Sequence, residues 1–150
     1  MTCGDIIVST RKNNPVSMFI RWWTNSKWSH TRVMTSSVTF VEATYPRVKV
    51  GHIDEMDGEV YRVLTPLVPL SDDEKADLKF WVVSDIGKKY DWRGLVSFLL
   101  HKNIQKKSFF FCSEFVAEAY EAIKRPLLRR EACWTTPGDI YSTLELKEVA

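Results

Sequence analysis

A chain of 150 residues with 45% hydrophobic content can bury one core, and it is read as a single domain over 1–150. Its 21 Lys and Arg nearly cancel 19 Asp and Glu, and a formal net charge of +2 points to no nucleic-acid partner. Three cysteines, Cys3, Cys112 and Cys133, cannot all pair and have no CxxC spacing, which argues against a disulfide framework or zinc finger and for reduced thiols.

The chain opens on MTCGDIIVSTRK, which is charged too early for a secretory signal, and no apolar run is long enough for a transmembrane segment. The expected location is therefore cytoplasmic, with delivery by a phage or another virus left open. After Gly4 and Asp5, IIVS reads as a short β-branched strand. Pro15 can start a helix, VSMFIRWW continues it and TNSK ends it. Residues 11–32 carry Arg11, Lys12, Arg21, Lys27 and Arg32 without an acid, interleaved with Trp22, Trp23 and Trp28. Such a mixture leaves peripheral membrane contact open, but an amphipathic stripe is mostly core, so the tryptophans are expected to pack inward.

HTRVM and VTFVEATY, separated by residues 35–37, read as a β-hairpin. Segments 47–53 and 59–64 flank an Asp57-Gly58 turn signal and predict a second hairpin. At Ser71 the period changes: SDDE is a capping box, with Glu74 three residues after Ser71, and predicts a helix to about Gly87. WRGLVSFLL predicts a further short helix. FFFCSEFVAEAY opens another, which stops before Pro126, and TPGDIYS is expected to begin a last strand or turn. Strand runs beside helix runs, without steady βαβ alternation, define an α+β class.

Cys112 stands at the start of its helix, on the apolar stripe with Phe115, Val116, Ala119 and Ile123, while Ser113, Glu114, Glu118 and Glu121 take the other side. A helix start favours a thiolate and can donate N–H groups to an oxyanion, but a nucleophile also needs a base. The histidines are His30, His52 and His101. A three-residue loop at 35–37 pairs Met34 with Val38 and, counting outward, His30 with Glu42, so that a carboxylate can orient the imidazole. A two-residue loop would move Glu42 to the opposite face. His52 and His101 have no comparable partner. By alternation Arg32 shares the face of His30, where it could lower the imidazole pKa or meet an anionic substrate group.

The ordered set GDIIVS, WSH, VEATYP and FFFCSEFVAEAY resembles the circularly permuted papain-like hydrolases related to the NlpC cell-wall peptidases, of the YiiX-like type. The resemblance runs from Gly4 to about Tyr120, with TPGDI also similar. It implies a permuted papain-like fold in which an antiparallel sheet packs on the helix that bears the cysteine. It implies Cys112 as nucleophile, His30 as base and Glu42 as third polar residue, with no metal or cofactor. Arg32, Trp28 and Tyr45, close to those residues in the chain, are the candidate substrate contacts. The expected function is a cysteine hydrolase, an amidase or peptidase, acting on a peptide or a peptidoglycan fragment. Lipid or thioester acyl chemistry on the same thiol, with an acyl-containing substrate, is a rival. The lecithin retinol acyltransferase-like enzymes share the permuted fold, but their Asn-Cys-Glu-His signature is replaced here by Phe-Cys-Ser-Glu. A binding module with a structural cysteine is the rival from another class.

Overall fold

The structure is a computed structural model and describes residues 1–90 and 109–149. The β-branched IIVST segment forms β1 (Ile6–Thr10) and lies inside a six-stranded antiparallel sheet. With β2 (His30–Met34), β3 (Thr39–Ala43), β4 (Val48–His52), β5 (Val60–Pro66) and β8 (Leu146–Glu148), the order is β4-β3-β2-β1-β5-β8. Ile6, Ile7 and Val8 are all fully buried, because β1 has a core on each side. Ile6, Val8, Val33, Val41 and Leu64 face α2 (Asp72–Ser84) and α3 (Cys112–Ala122) through Leu78, Val82, Phe115, Val116 and Ala119. Ile7, Met34 and Phe40 face Met56 in the 3-10 turn Ile53–Met56. Each such aliphatic side chain contributes roughly 1.5–3 kcal/mol by burial, so the centre of the sheet is its best-anchored part.

Ser71 caps α2 as its sequence predicts: Ser71 Oγ accepts from the Glu74 N–H at 3.2 Å, and Glu74 Oε2 accepts from the Ser71 N–H at 2.7 Å. The predicted helix WRGLVSFLL, and His101, lie outside the described residues. Two short strands, β6 (Lys89–Tyr90) and β7 (Phe109–Phe110), pair in parallel just before α3.

Several expectations are corrected. The two segments flanking Asp57-Gly58 do not pair as a hairpin; β4 pairs with β3, and β5 pairs with β1 and β8. Gly58, at φ +76°, does provide a turn, but burying both apolar faces decides which strands meet. TPGDIYS is neither strand nor turn. It forms α4 (Pro137–Ser142), with Thr136 and Asp139 in a capping box and Pro137 in the first turn. In α1 (Pro15–Trp23) the tryptophans turn outward, Trp22 being 74% exposed, and Ser17 is the buried residue of the helix. The α3 helix is enclosed on more than its apolar stripe, for Ser113 and Glu114 are also buried. Ser113 Oγ donates to Thr135 O at 2.5 Å, and Glu114 Oε2 accepts from the Phe111 N–H at 3.2 Å.

Candidate functional site

The β2–β3 hairpin pairs Met34 with Phe40 and Val33 with Val41. Its loop is three residues long but occupies Ser36, Ser37 and Val38, one position later than expected. Ser36 explains the shift, since its Oγ accepts from the N–H groups of Val38 at 3.2 Å and Thr39 at 3.0 Å and so folds the turn around itself. The register therefore moves by two residues, and Arg32 rather than His30 lies opposite Glu42. An even shift keeps every side chain on its face. Glu42 can still reach His30 on the diagonal, and its Oε2 lies 2.7 Å from His30 Nε2.

Alternation puts Val33 on the face of α3 and Met34 on the other, and His30 shares the face of Met34. His30 is the first residue of β2, and its side chain nevertheless interacts with Cys112, each raising or lowering the other's titration. With Nε2 committed to Glu42, Nδ1 is the ring nitrogen left for the thiol. Cys112 is the first residue of α3 and 5% exposed. The Thr31 backbone also favours the charged sulfur. Thr31 Oγ1 is buried without a hydrogen bond of good geometry, and its influence on the sulfur acts in the same direction.

These contacts change the titration of all three groups. Burial pushes the Cys112 thiol up, but the His30 charge, its hydrogen bond and Thr31 together bring it below its ordinary value. Burial likewise pushes the His30 imidazolium down. The charge and hydrogen bond of Cys112, then the hydrogen bond to Glu42, outweigh both burial and the Arg32 cation and hold His30 at about 9. For Glu42, burial acts upward and is overcome by the His30 hydrogen bond and charge, then by Arg32 and Lys49, leaving the carboxyl at about 2. The three shifts reinforce one another, each favouring the charged form: thiolate, imidazolium and carboxylate.

Arg32 is not available to a substrate anion, which corrects one of its two expected roles. It is 6% exposed, and its Nε donates to Glu42 Oε2 at 2.8 Å. Nη1 donates to Ser9 Oγ at 2.7 Å and Glu59 Oε2 at 2.9 Å, and Nη2 to Glu59 Oε1 at 2.9 Å. This fork clamps two buried carboxylates and fixes Glu42 from behind. Glu59 and Ser9 were not found from sequence. Ser9 pairs with His30, and Glu59 precedes β5, which lies on the other side of β1, so neither is close in the chain to the residues it serves.

Trp28 is 3% exposed and packs against Tyr141 in a tilted pair with ring centroids 5.2 Å apart, so burial places it in the core rather than at a substrate surface. Tyr45 is 74% exposed and lines a polar cleft of about 420 Å³ together with His30, Arg32, Glu42 and Glu59. Cys112 lines a separate apolar pocket of about 40 Å³ with Phe111, Pro137 and Cys133. Ile20 and Ser29 border both spaces, so the Cys112–His30 contact lies between a polar and an apolar compartment. His52 caps the 3-10 turn, its Nδ1 accepting from the Asp54 N–H at 3.4 Å, and takes no part in the relay.

The architecture is thus a mixed α+β fold with an antiparallel sheet and a cysteine-bearing helix on one face. Among solved structures it is similar to the metalloprotein yiiX from Escherichia coli O157:H7, with a TM-score of 0.78 and 20% identity over 99% of this chain and 96% of that one. The chain therefore has a YiiX-like fold. No protein-family profile matches it, and no curated protein matches it in sequence. Among the described residues no group of three or more His, Cys, Asp and Glu is arranged to hold a metal ion. No helix among them is long and apolar enough to cross a membrane.

Proposed function

We propose that the protein is a cysteine hydrolase that cleaves an amide bond in a peptide or peptidoglycan-type substrate. The observation that carries this reading is the 2.7 Å contact of His30 Nε2 with Glu42 Oε2 beside a buried cysteine at the first position of α3, and the mutual electrostatic influence of Cys112 and His30 supports it. The resemblance of WSH, VEATYP and FFFCSEFVAEAY to permuted papain-like hydrolases supports it, and so does the YiiX-like fold. The neighbour is described as a metalloprotein. Among the described residues no group of His, Cys, Asp and Glu fits such a centre.

In this mechanism the Cys112 thiolate attacks the carbonyl carbon, and the carbonyl electron pair moves to oxygen. The Cys112 backbone N–H, in the first turn of α3, is the proposed donor to that oxyanion. On collapse of the adduct the C–N bond breaks, and His30 gives its proton to the leaving nitrogen. Water then attacks the thioester and returns a proton to His30, so that the carboxylic product leaves and the thiolate–imidazolium pair is restored. Glu42 holds the ring and stabilises its charged form throughout, while Arg32, itself fixed by Glu59, holds Glu42.

A second reading, thioester or lipid acyl chemistry on the same sulfur, is favoured by the apolar character of the pocket at Cys112. One experiment tests both. The wild type and Cys112→Ala are incubated with short peptides, muropeptides and a fatty-acyl thioester, quenched in acid and analysed by mass spectrometry. The first reading expects amide cleavage and an acyl adduct on Cys112 in the wild type alone. An adduct from the thioester alone transfers support to the second, and equal product with Cys112→Ala refutes both.

A further inference from the structure

We propose that the outward face of α1 docks the protein onto anionic lipid bilayers. This inference goes beyond the hydrolase reading, because it rests on α1 and not on the thiol. A surface helix ordinarily buries its apolar stripe and exposes its polar side. In α1 the arrangement is inverted. Its buried residue is Ser17, whose hydroxyl lies 2.7 Å from that of Ser29 and 3.1 Å from that of Thr10. Val16, Met18, Phe19, Trp22 and Trp23 are exposed, at 58%, 54%, 39%, 74% and 39%. The rings of Phe19, Trp22 and Trp23 gather in one cluster, with centroids 6.1 Å to 6.5 Å apart. So large an apolar patch marks an interaction surface rather than scattered surface hydrophobics.

Charge selects the occupant. Arg11, Lys12, Arg21 and Lys27 flank or interrupt the patch in the sequence, residues 11–32 contain no acid, and Arg11, Lys12 and Lys27 are exposed. Lys27 sits over the Trp28 and Tyr141 rings, 5.3 Å from each centroid, and Arg11 lies 3.4 Å from Glu59. Tryptophan and phenylalanine beside lysine and arginine suit the headgroup boundary, where aromatic rings settle and cations meet lipid phosphates. A second copy fits less well, since a two-fold contact through α1 would set the same basic residues against each other. A nucleic acid fits less well too, because base stacking on Phe19, Trp22 and Trp23 would leave the exposed aliphatic and thioether area of Val16 and Met18 uncovered. Ile20 of the same helix borders both the polar cleft and the Cys112 pocket. Docking through α1 would therefore set both compartments beside the lipid–water boundary.

The test is flotation with phosphatidylcholine vesicles, with and without phosphatidylglycerol. The wild type is expected to float with phosphatidylglycerol vesicles, less in high salt, and Trp22→Glu/Trp23→Glu to lose about tenfold or more of that binding. Lys12→Gln/Lys27→Gln is expected to lose about tenfold on the anionic vesicles only. These side chains lie outside the two compartments, and circular dichroism confirms folding of each variant. Cys112→Ala should float like the wild type, so a failure of the hydrolase reading leaves this one standing. The proposal is overturned if the wild type stays with the unbound fraction or the tryptophan variant floats undiminished. It is equally overturned if the patch instead mediates a concentration-dependent dimer, or retention of a single-stranded oligonucleotide, that the tryptophan variant abolishes.

Discussion

Glu42→Gln removes one charge from the relay while keeping the side-chain shape. The amide oxygen can occupy the place of Oε2 and accept from His30 Nε2 and Arg32 Nε, and the amide nitrogen then faces Lys49 Nζ, which lies 3.4 Å from Oε1 and is half exposed. What is lost is the anion that favours the imidazolium. An opposite charge at this range moves a pKa by about one to three. The upper limit of the ion pair, set by His30 at about 9, should therefore fall by about that much, and the Cys112 thiol should rise as its cation weakens. Below the thiol pKa a rise of one lowers the thiolate fraction by up to about tenfold, so alkylation of Cys112 should slow on the acid limb of the profile. Turnover should drop roughly ten- to a thousandfold, because oxyanion donors and substrate binding remain. The assay is the rate of iodoacetamide incorporation at Cys112 from pH 5 to 10, which requires no knowledge of the substrate. An unchanged profile in a folded Glu42→Gln protein would refute the charge-coupled relay.

Four further outcomes rest on the same network and its neighbours. Arg32→Met leaves Glu42 and Glu59 buried without their shared cation and should cost about 3–5 kcal/mol in urea unfolding. Adding Glu59→Gln to Arg32→Met should destabilise by less than the sum of the two single changes, since both break one network. Glu42 is held below its ordinary 4.5 at about 2, so its contribution is fully present above about pH 4.5 and is lost as pH falls toward 2. It amounts to on the order of 3 kcal/mol, and the acid limb of the stability curve should flatten in Glu42→Gln. His52→Ala should leave Cys112 alkylation at the wild-type rate, whereas His30→Ala should slow it near neutral pH; a comparable loss from His52→Ala would assign the base to the wrong histidine.

Signals confined to a few neighbouring residues were legible in the sequence. The β-branched IIVS run, the SDDE capping box and the cysteine at the start of a helical stripe each specify a local structure, and each is present. The contact of His30 with Glu42 was legible for a subtler reason: hairpin parity survives an even error in register, and Ser36 shifted the loop by one residue and the pairing by two. Contacts made across non-adjacent strands were not legible. Nothing near Arg32 in the chain announces Glu59, since that meeting requires β1 to lie between β2 and β5. The failed second hairpin has the same origin, for a turn signal cannot report which strands bury each other's faces. In α1 the spacing marks an apolar side but not its direction, and the hydroxyl cluster of Thr10, Ser17 and Ser29 turns that side outward.

The central claim is that Cys112 is ionised by His30, and site-resolved alkylation of the folded wild-type protein tests it most directly. Iodoacetamide at about pH 6, limited to partial reaction and mapped by mass spectrometry, competes Cys112 against Cys3 and Cys133. Thiolate fraction governs the rate where access allows. The thiol of Cys112 lies below its ordinary pKa, while burial pushes that of Cys3 up. The account predicts that Cys112 is modified first and that His30→Ala abolishes the preference. Modification of Cys112 no faster than the other two, or a preference that survives His30→Ala, would contradict it.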